Sequence, residues 1–239
     1  MLKLSSFMKV LFLFSFVAPL ASNAVENKGG FSLGSTRVVY NAAEKEANVT
    51  VINTADNAPF LAQSWLSNID DVRNKAKPPF VLTPPLYRQD KGKNTLRIVK
   101  TGGDLPKDRE SAYWINVKAI PAQSKADTGK NTVAFAYVLK IKMFYRPADL
   151  KGKASDAYRD LTFSRSGSTL KVSNPTPYYV TLNKISVGGK EIKDVSAMVP
   201  PFQQQSYQLD DSTKGSQVEY RAINDMGGSM PVVKKNIDN

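Results

Sequence analysis

Histidine and cysteine are both absent from the 239 residues. Without histidine there is no imidazole base, no Ser-His-Asp relay and no His-containing zinc site. Without cysteine there is no thiol chemistry, no thiolate-bound metal and no disulfide, so the fold must hold through packing alone. Paired carboxylates or a Ser-Lys pair remain open to catalysis. No acidic cluster stands at metal-loop spacing, however, no glycine-rich loop is set to cradle a phosphate, and no Ser-x-x-Lys occurs in a suitable context. Asp70-Asp71 and Asp210-Asp211 read as ordinary turn acids. The chemistry left over points away from an enzyme, a metal site and a bound cofactor. Sustained helical amphipathicity is also missing beyond the first two dozen residues, as is any later apolar run near the roughly 20 residues a membrane span needs.

What is present begins with a three-part N-terminus: Lys3 and Lys9, the apolar run 10–21, and small residues at Ser22 and Ala24. This is the pattern of a secretion signal, with cleavage expected after Ala24. Its apolar core of about a dozen residues is too short to cross a bilayer, so the mature chain is expected to be exported and soluble, without membrane insertion. About 215 mature residues suffice for one large domain or two of about 100. The formal charge is +12, and loss of Lys3 and Lys9 leaves 31 basic against 21 acidic residues. The lysines are scattered in ones and twos, and no arginine-rich stripe or nucleic-acid motif accompanies them. The excess charge reads as a basic solvated surface, not as a nucleic-acid interface.

Short alternating or β-rich runs then recur about every eight to twelve residues, at 31–40, 47–53, 60–67, 95–99, 112–119 and 132–145. Turn signals separate them, at 53–57, Thr83-Pro84-Pro85 and Thr101-Gly102-Gly103. Arg146-Pro147 closes the sixth run, and 148–157 is polar and lysine-rich. A domain boundary is placed there. A second set follows at 161–164, 169–173, 178–186, 204–208, 217–224 and 230–234, again divided by turns. The rhythm predicts an all-β protein of two antiparallel β-sandwiches in tandem, with domains at 25–147 and 148–239 after a 1–24 signal.

The run 132–144 does not fit an ordinary sandwich strand. Thirteen residues at about 3.3 Å each extend roughly 43 Å, where a typical strand spans about 17–20 Å. Its odd positions carry Val133, Phe135, Tyr137, Leu139, Ile141 and Met143, and Ala134, Ala136 and Val138 make the other face small and apolar too. Periodicity alone favours a central strand buried on both faces. The other reading is an edge strand whose first half is free to pair with another chain, since no charge, proline or bulge guards positions 133–139.

Several segments together resemble one family. They are Thr36-Arg37, Leu105-Pro106-Lys-Asp-Arg109-Glu110-Ser111, Lys140-Ile-Lys142-Met-Phe-Tyr-Arg146-Pro147, Asn174-Pro-Thr-Pro-Tyr178-Tyr179 and Ile223-Asn224-Asp225. In order and spacing, over nearly the whole mature chain, they are similar to the periplasmic pilus-assembly chaperones that work with an outer-membrane usher. The resemblance implies two immunoglobulin-like domains set at an angle around a cleft, periplasmic localisation, and pilus or fimbrial subunits as partners. Such chaperones lend a strand to an incomplete subunit sandwich, an established form of β-strand addition. The resemblance implies Val133, Phe135 and Tyr137 as side chains that fill the subunit's groove. It implies Arg37 and Lys142 as a cationic pair that anchors the subunit's C-terminal carboxylate, and Glu110, Arg146 and Asp225 as a charge network between the domains. Trp65, Trp114 and Tyr178-Tyr179 read as structural, as core aromatics.

Lys142 has the opposite parity to Val133, Phe135 and Tyr137, so a bulge, twist or curvature is expected between Val138 and Lys142. The short connection 123–131 and the lack of cysteine resemble the short-loop branch of the family, and a free apolar edge suggests self-capping by a homodimer. The reading of a different class is a secreted β-sandwich adhesin or glycan-binding module, served by positive charge and exposed tyrosines. A carboxylate enzyme is the third, with no constellation to support it.

Overall fold

A computed structural model describes residues 29–69, 77–122, 135–195 and 197–238. The expected signal 1–24, the pair Asp70-Asp71, the connection 123–131 and Val133 lie outside the described residues.

Nine described strands build the first half: β1 (Phe31–Leu33), β2 (Arg37–Asn41), β3 (Ala47–Asn53), β4 (Phe60–Asn68), β5 (Phe80–Thr83), β6 (Leu86–Gln89), β7 (Gly92–Lys100), β8 (Ser111–Pro121) and β9 (Tyr137–Arg146). They form two sheets, in the orders β1-β3-β7-β5 and β2-β9-β8-β4-β6. Alternation decides what faces inward: Val49 and Val51 of β3, Leu96 and Ile98 of β7, and Ile115 and Val117 of β8 are all buried in one core with Met143. The run 31–40 divides at Gly34-Ser35-Thr36, where the chain changes sheets. β1 then pairs β3 while β2 pairs β9. Two four-residue strands, β5 and β6, flank the Thr83-Pro84-Pro85 turn and are too short for periodicity to register. That turn is tied to β4, because the Ser64 N–H donates to Pro85 O at 2.8 Å and its Oγ to Pro84 O at 2.6 Å.

The second half opens with a 3-10 turn at Ala157–Asp160 and continues with β10 (Thr162–Ser166), β11 (Thr169–Ser173), β12 (Val180–Val187), β13 (Lys190–Glu191), β14 (Met198–Val199), β15 (Gln204–Gln208), β16 (Gln217–Ile223) and β17 (Val233–Asn236). The order β10-β11-β15 faces the order β13-β12-β16-β17, with β14 also on β12. Phe163, Leu170, Leu182, Ile185 and Tyr220 fill a second, separate core. The chain is therefore almost all β, in two sandwiches. Asn174 fixes the turn before β12: its buried amide donates to Tyr178 O at 2.7 Å, and its Oδ1 accepts from Thr176 N–H and Oγ1 at 3.0 and 2.7 Å. Asn174-Pro175-Thr176-Pro177 is thus a side-chain-closed turn. Among the described residues no helix is long and apolar enough to cross a membrane.

Candidate functional site

The pairing of β9 changes halfway along its length. On one side β8 accompanies it without interruption, from Ser111 opposite Tyr145 to Ala119 opposite Tyr137. On the other side β2 runs parallel to it and covers only Lys142 to Arg146. Among the described residues, Tyr137 to Ile141 therefore carry backbone groups with a neighbour on one side only. The buried-strand reading holds for the C-terminal half, where Met143 and Phe144 are buried. The N-terminal half of the described strand, Tyr137 to Ile141, lies at an edge.

Two expectations need correction. The described strand begins at Tyr137, and Phe135 and Ala136 precede it outside any strand, while 132–134 lie outside the described residues. Of the bulge, twist or curvature expected between Val138 and Lys142, the bulge is absent. The β8 ladder is continuous there, and an unbroken eleven-residue β8 offers no place for an extra residue. The parity difference is real: Tyr137 and Lys142 serve opposite faces of one sheet.

The odd face belongs to the core at its C-terminal end and leaves it at the other. Met143 is buried, Leu139 and Ile141 pack partly against the core, Tyr137 is 41% exposed, and Phe135 ahead of the strand is 79% exposed. The Tyr137 hydroxyl donates to Phe31 O at 3.4 Å. The apolar row thus continues past the point where its own domain can bury it.

On the outward face, the open edge ends at a pair of cations. Arg37, the first residue of β2, lies directly beside Lys142 in the parallel ladder. Arg37 is 9% exposed, its guanidinium lies 5.8 Å from the Phe144 ring centre, and it donates to Ile223 O at 3.3 Å, across the domain junction. Its Nε is buried without a hydrogen-bond partner. Burial lowers the Arg37 pKa, offset in part by Asp225. Burial, and then the charge of Arg37, push the Lys142 ammonium from 10.5 down to about 8. Two neighbouring cations with little compensation are electrostatically expensive, and an arriving anion relieves that cost.

Glu110, Arg146 and Asp225 meet at the same junction. Arg146 donates Nε to Glu110 Oε1 at 2.7 Å and both terminal nitrogens to Asp225, at 2.8 and 3.0 Å. Glu110 is 3% exposed, and its other oxygen accepts the Tyr179 N–H at 2.8 Å. Burial pushes the Glu110 carboxyl upward, while Arg146 and the Tyr179 amide pull it back. Burial would lower Arg146, but its hydrogen bonds and the two carboxylates outweigh it and raise the net value. With both oxygens taken by N–H donors, Glu110 acts as an acceptor. The triad thus joins the end of β9 and the start of β8 to the second sandwich. Unlike an exposed surface pair, it is shielded from water on two of its three members.

Some contacts here were not legible as site features. Phe144 meets Tyr179 at 5.8 Å between ring centres, and the Arg109 guanidinium lies 4.9 Å from the Phe202 ring centre. Gly227 adopts φ +85°, and a Cβ there would stand 2.2 Å from Thr36 Oγ1, so only glycine lets the 224–228 turn approach the residue before Arg37. The Gly227-Gly228 pair was a visible signal, but sequence could name only a turn. Trp65 and Trp114 are not core aromatics: both are half-buried on the outward face of β4 and β8, where Trp114 lies beside Lys140 and Lys142.

Two family models match this chain in succession. The pili and flagellar-assembly chaperone PapD N-terminal domain matches residues 30–151, and the pili assembly chaperone PapD C-terminal domain matches residues 156–234. The chain belongs to the PapD family of pilus-assembly chaperones. Among its relatives, chaperone protein LpfB of Salmonella typhimurium strain LT2 is 45% identical over 83% of this chain and 85% of its own length. Chaperone protein FimC of Escherichia coli strain K12 is 40% identical over 90% and 87%. A solved structure of the Salmonella enterica SafA pilin with the SafB chaperone matches at a TM-score of 0.78 and 33% identity, covering 87% of this chain and 96% of the matched one. The family is one of chaperones, not of enzymes.

Arg146→Ala leaves Glu110 buried without its cation. The expected outcome is a loss of about 3–5 kcal/mol in denaturant unfolding, with a changed interdomain angle in small-angle X-ray scattering. An unchanged midpoint and scattering curve would show that the triad contributes nothing to the junction.

Proposed function

We propose that this chain is a periplasmic chaperone that captures pilus subunits by lending them the open edge of β9 and delivers them to an outer-membrane usher. The observation that carries the reading is the open edge from Tyr137 to Ile141 that stops at the Arg37–Lys142 rung. A polypeptide added to that edge occupies the lane that β2 occupies further on, so it must end where Arg37 begins. Charge then selects its direction. A strand running parallel to β9 brings its C-terminal carboxylate to the two cations, whereas an antiparallel strand brings its N-terminal ammonium to them. Charge-assisted hydrogen bonds from Arg37 and Lys142 then fix the register, which a one-residue slip would otherwise invert.

Along that lane backbone hydrogen bonds supply affinity for any subunit, while Val133, Phe135 and Tyr137 fill its apolar groove. The exposure of Phe135 and Tyr137 supports this role. Glu110, Arg146 and Asp225 hold the angle between a domain at 25–147 and one at 148–239. Residues 1–24 direct export and are removed. The chain performs no catalysis and uses no cofactor. When no subunit is present, a second copy of the chain caps the apolar edge, and a monomer in sedimentation at micromolar concentration would contradict this.

The test is co-expression with a fimbrial subunit lacking its own complementing strand. A stable one-to-one periplasmic complex is expected, weakened about tenfold to a hundredfold by Arg37→Ala or Lys142→Ala. Equal degradation of the subunit with and without the chaperone would overturn the proposal. With purified components, affinity is flat below pH about 8 and falls above it. Lys142, flanked by Arg37 and Lys140, must be protonated to hold the carboxylate, and its free-state value is about 8.

A further inference from the structure

Lys142 has to remain charged, half-buried and beside Arg37 while no subunit is bound. A carboxylate in contact with it would stabilise the charge but would also compete with the incoming subunit. Among the described residues neither Lys142 nor Lys140 forms an ion pair. What stands next to them instead is an indole. Trp114 lies directly opposite Lys142 in the β8–β9 ladder, on the strand away from Arg37. The Lys140 ammonium is 4.4 Å from the centre of its ring and that of Lys142 is 5.9 Å away. Both lie within the range of cation–π attraction, and indole is the strongest side-chain partner for it.

We infer that Trp114 is a positioning residue for subunit capture, a neutral aromatic rest that holds Lys142 charged and aimed between β8 and β2 without supplying a competing anion. The ring quadrupole attracts the ammonium but carries no net charge, so a carboxylate meets an unspent cation. Lys140 takes the nearer position on the ring, which leaves Lys142 at the outer limit of its reach, with Arg37 as its other neighbour in the ladder. The lysine is thereby preorganised without being paired. This inference rests on the reading of Arg37 and Lys142 as a carboxylate anchor, and the experiment separates the two.

The probe is a synthetic peptide of a fimbrial subunit's C-terminal strand, prepared as the free acid and as the C-terminal amide, titrated into the intact chaperone. The wild type is expected to prefer the acid. Trp114→Leu is expected to weaken the acid about threefold to thirtyfold, to leave the amide nearly unchanged, and to lower the Lys142 pKa read from its side-chain NMR signals. Trp114→Phe, which keeps a ring, is expected to recover most of the preference, and thermal melting of both variants checks that they fold. If wild type and folded Trp114→Leu prefer the acid equally and share one Lys142 pKa, the role of Trp114 is overturned while the anchor stands. If the wild type makes no distinction between acid and amide, the anchor reading fails and this inference fails with it.

Discussion

Everything distinctive about this molecule depends on a mismatch of strand lengths. β9 has ten residues and β2 has five, and the two are aligned at their C-terminal ends. Among the described residues, the first five residues of β9 are thus left with a bare edge, although they lie in the middle of the sheet order. Natural sheets protect such edges with charge, proline or a bulge. Here the odd face of the exposed half carries Tyr137, Leu139 and Ile141, and the ladder to β8 holds it straight. The sandwich presents half of a strand pair that it cannot complete itself.

The end of that edge is costly as well. Arg37 and Lys142 share a rung at a half-buried junction, and both have pKa values lowered mainly by burial. A protein selected only for stability would replace one of them. Their neighbours bear the cost in other ways: Ile223 O accepts from Arg37, Phe144 stacks near it, and Trp114 lies by Lys142. The nearby Glu110–Arg146–Asp225 triad is the compensated counterpart, with its carboxylates fully engaged by donors. One cluster is neutralised across the junction, and the other is a pair of cations whose charge is little compensated.

Much of this was legible in the sequence. Runs 47–53, 169–173 and 204–208 coincide with β3, β11 and β15 because each alternates inward and outward residues between turn signals. Strands β5, β6, β13 and β14 were missed because two to four residues carry no period. The run 31–40 hid a change of sheets, since hydrophobicity does not record which partner a strand takes. For β9, composition marked an unusual strand but could not say that it is covered over one half and open over the other. That depends on where β2 starts, and so on Arg37. Trp114 was misassigned for a related reason: a tryptophan among alternating residues looks like core until the ladder shows it on the same face as Lys142.

Subunit capture by this fold requires that the edge between Tyr137 and Ile141 is where another chain pairs. Residue-resolved amide hydrogen exchange, on the free chaperone and on its complex with a subunit, tests this directly. In the free protein, diluted below the range in which the capping dimer forms, the edge-facing amides among Tyr137 to Ile141 should exchange quickly, and they should become protected in the complex, with little change from Lys142 onward where β2 already pairs. Rapid exchange of Tyr137 to Ile141 persisting in a stable complex would contradict the account.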